Sequence, residues 1–196
     1  ALRGLVDLSS TQKLGGNIEY QQVDFYDDLL ARDYNNMSAY VSYTQALSQL
    51  DLNASLGYSH LDFERGGNSS GPLAQLGIDW RVSASSTFGI AVADRYTDAD
   101  SSIATGTADF DAGFGGVDVG GTAITPDVFR ERRISGTYQL QGTRLNLAAL
   151  LRYGTYRYEE AAPALANDRD ELGAGLNLGY LLRPTLTLGV NAEATR

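Results

Sequence analysis

The sequence predicts an all-β protein, an antiparallel up-and-down transmembrane β-barrel of which about ten strands are visible. Three observations predict it. Apolar residues recur at every second position, segment after segment, which is the period of a strand. The connections alternate between short and long, the asymmetry of outer-membrane barrels, with turns on the periplasmic side and loops outside. Aromatic residues gather near both ends of the apolar faces, where amphipathic rings meet the headgroup levels of a bilayer.

Taken in order, segment 1–8 is a weak strand, and 14–25 places Leu14, Gly16, Ile18 and Tyr20 on one face. Segment 35–46 sets Met37, Ala39, Val41 and Tyr43 against Ser38, Tyr40, Ser42 and Thr44. In 49–63, Leu50, Leu52, Ala54, Leu56 and Tyr58 oppose Asp51, Asn53, Ser55, Gly57 and Ser59; in 73–82, Ala74, Leu76, Ile78, Trp80 and Val82 oppose Gln75, Gly77, Asp79 and Arg81. Segment 86–97 gives Phe88, Ile90, Val92 and Tyr96, and 127–140 gives Ile134, Gly136, Tyr138 and Leu140 against Arg133, Ser135, Thr137 and Gln139. The last three segments (144–158, 170–182 and 186–196) repeat the pattern with Leu145 to Tyr153, Leu172 to Tyr180 and Leu186 to Ala194. Short connections fall near 9–13, 46–49, 83–85, 141–143 and 183–185, and long ones near 25–34, 64–72, 97–127 and 159–169. Pro72, Pro126, Pro163 and Pro184 all read as lying in connections, since proline cannot donate to a ladder.

At 196 residues the chain suits one domain, 1–196, either a whole barrel or part of one. It has no cysteine, so neither disulfides nor thiolate metal sites arise. Its net charge is −9, and 14 of its 15 basic residues are arginines scattered along the chain, which argues against nucleic acid as a partner. No apolar run is long enough for a transmembrane helix. No secretory leader is visible, so the chain reads as mature or a fragment.

The expected aromatic girdles are Tyr43, Trp80, Phe88, Tyr138 and Tyr180 beside the short turns, and Tyr58, Tyr96 and Tyr153 eight to ten positions away. Eight strand residues at about 3.3 Å each, tilted near 40°, climb roughly 20 Å, close to the ~25 Å apolar band of such barrels. The opposite face carries the expected lumen lining: Asp51, Asn53, Asp79, Arg81, Arg133, Arg152, Glu171, Asn177 and Glu193. These groups cannot meet hydrocarbon without heavy cost, so they face water or one another. The many small residues among them, such as Gly57, Gly77, Gly89, Gly173 and Gly189, either leave a hydrated lumen or make room for larger neighbours.

Asn17-Ile18-Glu19-Tyr20, Phe25-Tyr26-Asp27-Asp28, Arg32-Asp33-Tyr34-Asn35-Asn36, the run Ser38 to Ser48, and Leu56 to Phe63 together resemble outer-membrane β-barrel porins associated with exopolysaccharide export and PEP-CTERM sorting systems in proteobacteria. That family pattern is a strand, an acidic-aromatic loop with an Arg-Asp, then a strand ending in a Leu-Ser turn. The resemblance implies a role in moving or anchoring a secreted polysaccharide and supplies no catalytic residue. Its members are longer, and Ala192 to Arg196 lacks the terminal aromatic residue of a last barrel strand, so the chain is expected to be incomplete.

Three features compete for a site. His60, the only histidine, lies beside Ser59 and near Asp62, but strand neighbours point to opposite faces, so an interfacial residue is expected in place of a rim hydrolase. The long connection holds Asp98, Asp100, Asp109, Asp111, Asp118 and Asp127 among many glycines, which would let it form a constriction or wrap a divalent cation; a solvated external loop is the default. Arg130, Arg132 and Arg133 around Glu131 suit phosphates of lipopolysaccharide or an acidic glycan, or a structural network. No metal or cofactor is expected. The resulting expectation is a non-enzymatic porin-like conduit or scaffold in the outer membrane of a Gram-negative bacterium. Its partners would be membrane lipid, lipopolysaccharide and a polysaccharide or small solutes. The alternative is an adhesive surface barrel with a closed lumen.

Overall fold

The structure, a computed structural model, describes residues 1–23, 33–64, 67–97, 128–158, 168–183 and 186–196. They form ten strands: β1 (Leu2–Ser9), β2 (Gln12–Val23), β3 (Tyr34–Ala46), β4 (Leu50–Phe63), β5 (Asn68–Ser83), β6 (Ser86–Thr97), β7 (Phe129–Gln141), β8 (Leu145–Tyr158), β9 (Arg169–Arg183) and β10 (Leu186–Thr195). Each strand pairs antiparallel with its sequence neighbours in one sheet ordered β1 to β10. This is the all-β, up-and-down architecture that the alternation predicts. No pairing joins β1 to β10 among the described residues.

The tight turns share one rim, and backbone bonds stitch each to the next hairpin. The Ala46 amide donates to Thr11 O (2.9 Å), that of Arg81 to Gln49 O (2.8 Å), that of Gln141 to Ser85 O (2.7 Å) and that of Leu181 to Arg144 O (2.8 Å). Ladder register shifts occur between Asp7 and Ser9, between Arg81 and Ser83, and between Leu186 and Thr187, all close to this rim. Bulges of that kind add local twist.

Two-residue alternation gives the sheet two chemically distinct faces. On one, Val41, Leu56, Ile134, Leu151, Leu172, Leu188 and Val190 all remain exposed, Leu56 to 67%. A contiguous apolar surface of this extent belongs against hydrocarbon or another apolar surface. The buried apolar cluster lies elsewhere: Tyr34, Leu61, Phe63, Tyr96 and Val128, with Val23 packed on it, sit at the end where the long connections leave the sheet. Tyr34, Leu61 and Phe63 have the parity of the polar face.

One expectation needs correction. β5 begins at Asn68, so Pro72 lies inside a strand, paired with Tyr58 of β4, and not in a connection. The β5–β6 ladder starts only at Ala74–Asp94, so no β6 ladder is broken at the height of Pro72. Pro126, Pro163 and Pro184 lie outside the described residues.

Candidate functional site

The polar face is the candidate site, and its side chains meet across strands. Asn17 Nδ2 donates to Ser42 Oγ (3.1 Å), the hydroxyls of Ser38 and Ser59 are 2.8 Å apart, and Tyr40 OH donates to Glu19 Oε1 (2.7 Å). Further along the sheet the bonds become ionic. Arg81 Nη2 donates to Asp51 Oδ2 at 2.6 Å, and Arg152 Nη2 lies 3.0 Å from Glu171 Oε1.

Among the described residues the best-buried charge is Glu131, which is 2% exposed. Arg95 Nε donates to its Oε2 at 3.1 Å, and Arg133 Nη1 lies 3.3 Å from its Oε1. One carboxylate thus accepts from two guanidiniums in a shared low-dielectric position, where attraction is strongest and an unpaired charge costs most. Register makes this possible. Arg95 lies opposite Glu131, and Arg133 follows Glu131 by two residues on the same face.

All nine expected lining residues share the polar parity. Asp51, Arg81, Arg133, Arg152 and Glu171 enter the ion pairs above. A Cβ at Gly89 would sit 3.0 Å from Asp79 Oδ1, so Asp79 reaches over β6. Asn53 and Glu193 are exposed, and Asn177 is half-buried between Ala148 and Asn191 in register. Glu193 joins Arg152, Arg169, Glu171, Thr195 and Arg196 around an open groove of about 490 Å³ beside β10.

The glycines of this face divide between the two roles expected for them. A Cβ on Gly57 would collide with Ala39 O and with Tyr40, and one on Gly173 would lie 2.5 Å from Arg152 Nε. These two make room for larger side chains. Gly77 has open space above it.

The aromatic residues at the short-turn end fall into line: Trp80 pairs with Phe88, and Phe88 with Tyr138, across three adjacent strands. Tyr58, Trp80, Phe88, Tyr153 and Tyr180 are exposed on the apolar face, and Tyr43 and Tyr138 are half-buried. Tyr96 departs from the expected girdle. It is 8% exposed, its hydroxyl lies 3.3 Å from Ser69 Oγ, and its ring packs on Gly71. Because the β5–β6 ladder ends at Ala74–Asp94, its ring fills the gap beyond.

The basic cluster of β7 divides between the faces. Arg130 binds Asp94 bidentately (2.7 and 2.9 Å) and Arg132 reaches the same carboxylate at 3.3 Å, while Arg133 turns to Glu131. His60 is exposed on the apolar face opposite Met37 and Ser70, whereas Ser59 points the other way to Ser38, so the two form no catalytic pair. The residues Asp98, Asp100, Asp109, Asp111, Asp118 and Asp127 lie outside the described residues. Among the described residues no group of acidic and histidine side chains is arranged to hold a metal ion.

Sequence reasoning named Arg133 and Glu131 as part of a possible structural network but missed Arg95 in it, and it missed the apolar cluster on the polar face. The signal for the network was the spacing of Glu131 and Arg133, two apart on one strand. The cluster had no signal short of register.

No protein-family model matches this chain, nor does any curated protein sequence. Solved structures do. The FrpB iron transporter from Neisseria meningitidis (F3-3 variant) superposes with a TM-score of 0.63 at 14% identity, over 98% of this chain and 34% of that one. The outer membrane channel DcaP of Acinetobacter baumannii superposes with a TM-score of 0.54 at 15% identity, over 98% of this chain and 55% of that one. The chain therefore spans about a third of the iron transporter and just over half of the channel. The architecture is that of the β-barrel outer-membrane proteins of Gram-negative bacteria.

Proposed function

We propose that these strands form the wall of a porin-like outer-membrane conduit that passes solutes without chemistry and serves exopolysaccharide export. The observation that carries the conduit is the division of the sheet: one face keeps large aliphatic residues exposed, and the other satisfies its charges by pairing across strands. Acyl chains on one side and water on the other suit both faces at once. Selection then follows from lumen width and lining charge. The link to polysaccharide rests on the sequence resemblance, and lipopolysaccharide is the expected neighbour at the rim where Arg130 and Arg132 stand.

In planar bilayers the purified protein should conduct ions, and an acidic polysaccharide should reduce that current more than a neutral dextran of equal size. Equal effects of the two polymers would remove the polysaccharide role and leave the conduit standing.

A second reading, a surface barrel with a filled lumen, is favoured by the cluster of Tyr34, Leu61, Phe63, Tyr96 and Val128 at the long-connection end. Absence of any ion current from correctly folded protein would select it.

A further inference from the structure

We propose that Arg132, steadied by Asp94 on the lipid-facing side of β6 and β7, binds a phosphate of an outer-leaflet lipid headgroup. The proposal rests on the conduit reading, in which the apolar face meets acyl chains and the long connections face outward.

The height of these residues is the first observation. Asp94 continues the apolar row of Ile90 and Val92 on β6, and Arg132 and Arg130 continue that of Ile134 on β7. From there toward the short turns, the apolar faces of β6, β7, β8 and β9 carry no charged residue. Ile134 pairs with Tyr153, both exposed, and the next step up the same face pairs Arg132 with Thr155. Two residues rise roughly 5 Å along a tilted strand, so the charges begin just above the aromatic ring. That is the level at which hydrocarbon gives way to headgroups.

The second observation is that charge at this level is paired unevenly. Arg157 has two carboxylates: its Nη2 donates to Asp170 Oδ1 at 2.8 Å, and its Nε lies 3.9 Å from Asp168 Oδ2. Asp94 instead serves two arginines. Arg130 donates to both of its oxygens, at 2.7 and 2.9 Å. Arg132, directly opposite Asp94 in register, places its Nε 3.3 Å from the oxygen that Arg130 Nη2 already holds, and its side chain is 57% exposed. A guanidinium has five N–H donors, and one long contact leaves most of them for another acceptor. Phosphate oxygens match that planar fork.

The surface below selects the source of the phosphate. Ile134, Leu151 and Tyr153 lie exposed on the apolar face beneath Arg132. A lipid whose phosphate meets Arg132 lays its acyl chains on that surface, so one molecule satisfies the charge and covers the apolar side chains. An anion from the medium does only the first.

The test adds lipid A, with two phosphates or with none, to the intact protein in detergent micelles and follows bound lipid by native mass spectrometry. The phosphorylated form should bind about tenfold more tightly, the order expected of one charge-assisted hydrogen bond. Arg132→Gln should remove that preference. Arg157→Gln, which takes an equal charge from the same level, should keep it, and both variants should retain the strand circular dichroism of the parent. Should Arg132→Gln fail to fold, Arg132→Lys keeps the charge without the fork and should weaken the preference. Equal binding of the two lipids to the parent, or an undiminished preference in the folded Arg132 variant, would overturn the proposal and leave the conduit standing. Binding of neither lipid would overturn both. Inorganic phosphate binding as tightly as the phosphorylated lipid would make this a site for free anions and overturn the lipid assignment.

Discussion

Glu131 holds two arginines while almost wholly buried, and its loss should be felt more than that of any exposed pair. Removing one partner of a buried ion pair costs about 3–5 kcal/mol, because the remaining charges stay desolvated. Glu131→Ala should approach the lower end of that range, about 3 kcal/mol, in reversible urea unfolding from phospholipid vesicles. By contrast, Asp51→Asn breaks an exposed pair with Arg81, and the same titration should shift by less than about 1 kcal/mol. The glycines offer a steric comparison at the same scale. Gly57→Ala places a methyl group against Ala39 O and Tyr40, so the strand must shift, at a cost of about 1–3 kcal/mol. Gly16→Ala meets open space on the other face and should leave the unfolding midpoint at or above its original value.

Strands express the partition between faces, and β4 tests it within two adjacent residues. Leu56, mid-strand and 67% exposed, stands on the apolar face, and Ser55 stands on the polar one. Arginine at a lipid-facing midplane position costs about 2–4 kcal/mol. Leu56→Arg should lose that amount in the vesicle titration, while Ser55→Arg should unfold near the original midpoint. Equal losses would mean that both faces meet the same solvent. Element boundaries were less legible than faces. The sequence placed 64–72 in a connection because proline and glycine gather there, yet β5 starts at Asn68. Pairing with β4 holds this stretch extended, and proline is tolerated because β6 has no ladder at that height. Tyr96 was misplaced for a related reason: alternation assigns a face only while the ladder continues.

Across the whole molecule, charge is distributed unevenly. The described residues hold 13 acidic and 13 basic side chains, so the net −9 resides in 24–32, 65–66, 98–127 and 159–167. The described strand ends that flank these stretches lie opposite the short turns. In the proposed conduit, an acidic excess carried outside a charge-balanced set of strands should favour cations at low salt. The effect should fade as the Debye length falls from about 10 Å at 0.1 M to about 3 Å at 1 M. Reversal potentials in bilayers under a salt gradient would show it, and a cation preference equally strong at 1 M would place the selecting charge inside the wall instead.

The sequence by itself determined that this is a sheet of ten amphipathic strands in an up-and-down order, and which residues stand on which face. It could do so because side chains alternate strictly along a strand, a property local to two residues. Only the tertiary structure decided which charges meet, that Arg95 and Arg133 share Glu131, and that Tyr96 leaves the apolar face. Those outcomes depend on register between strands, which is not encoded in any single segment.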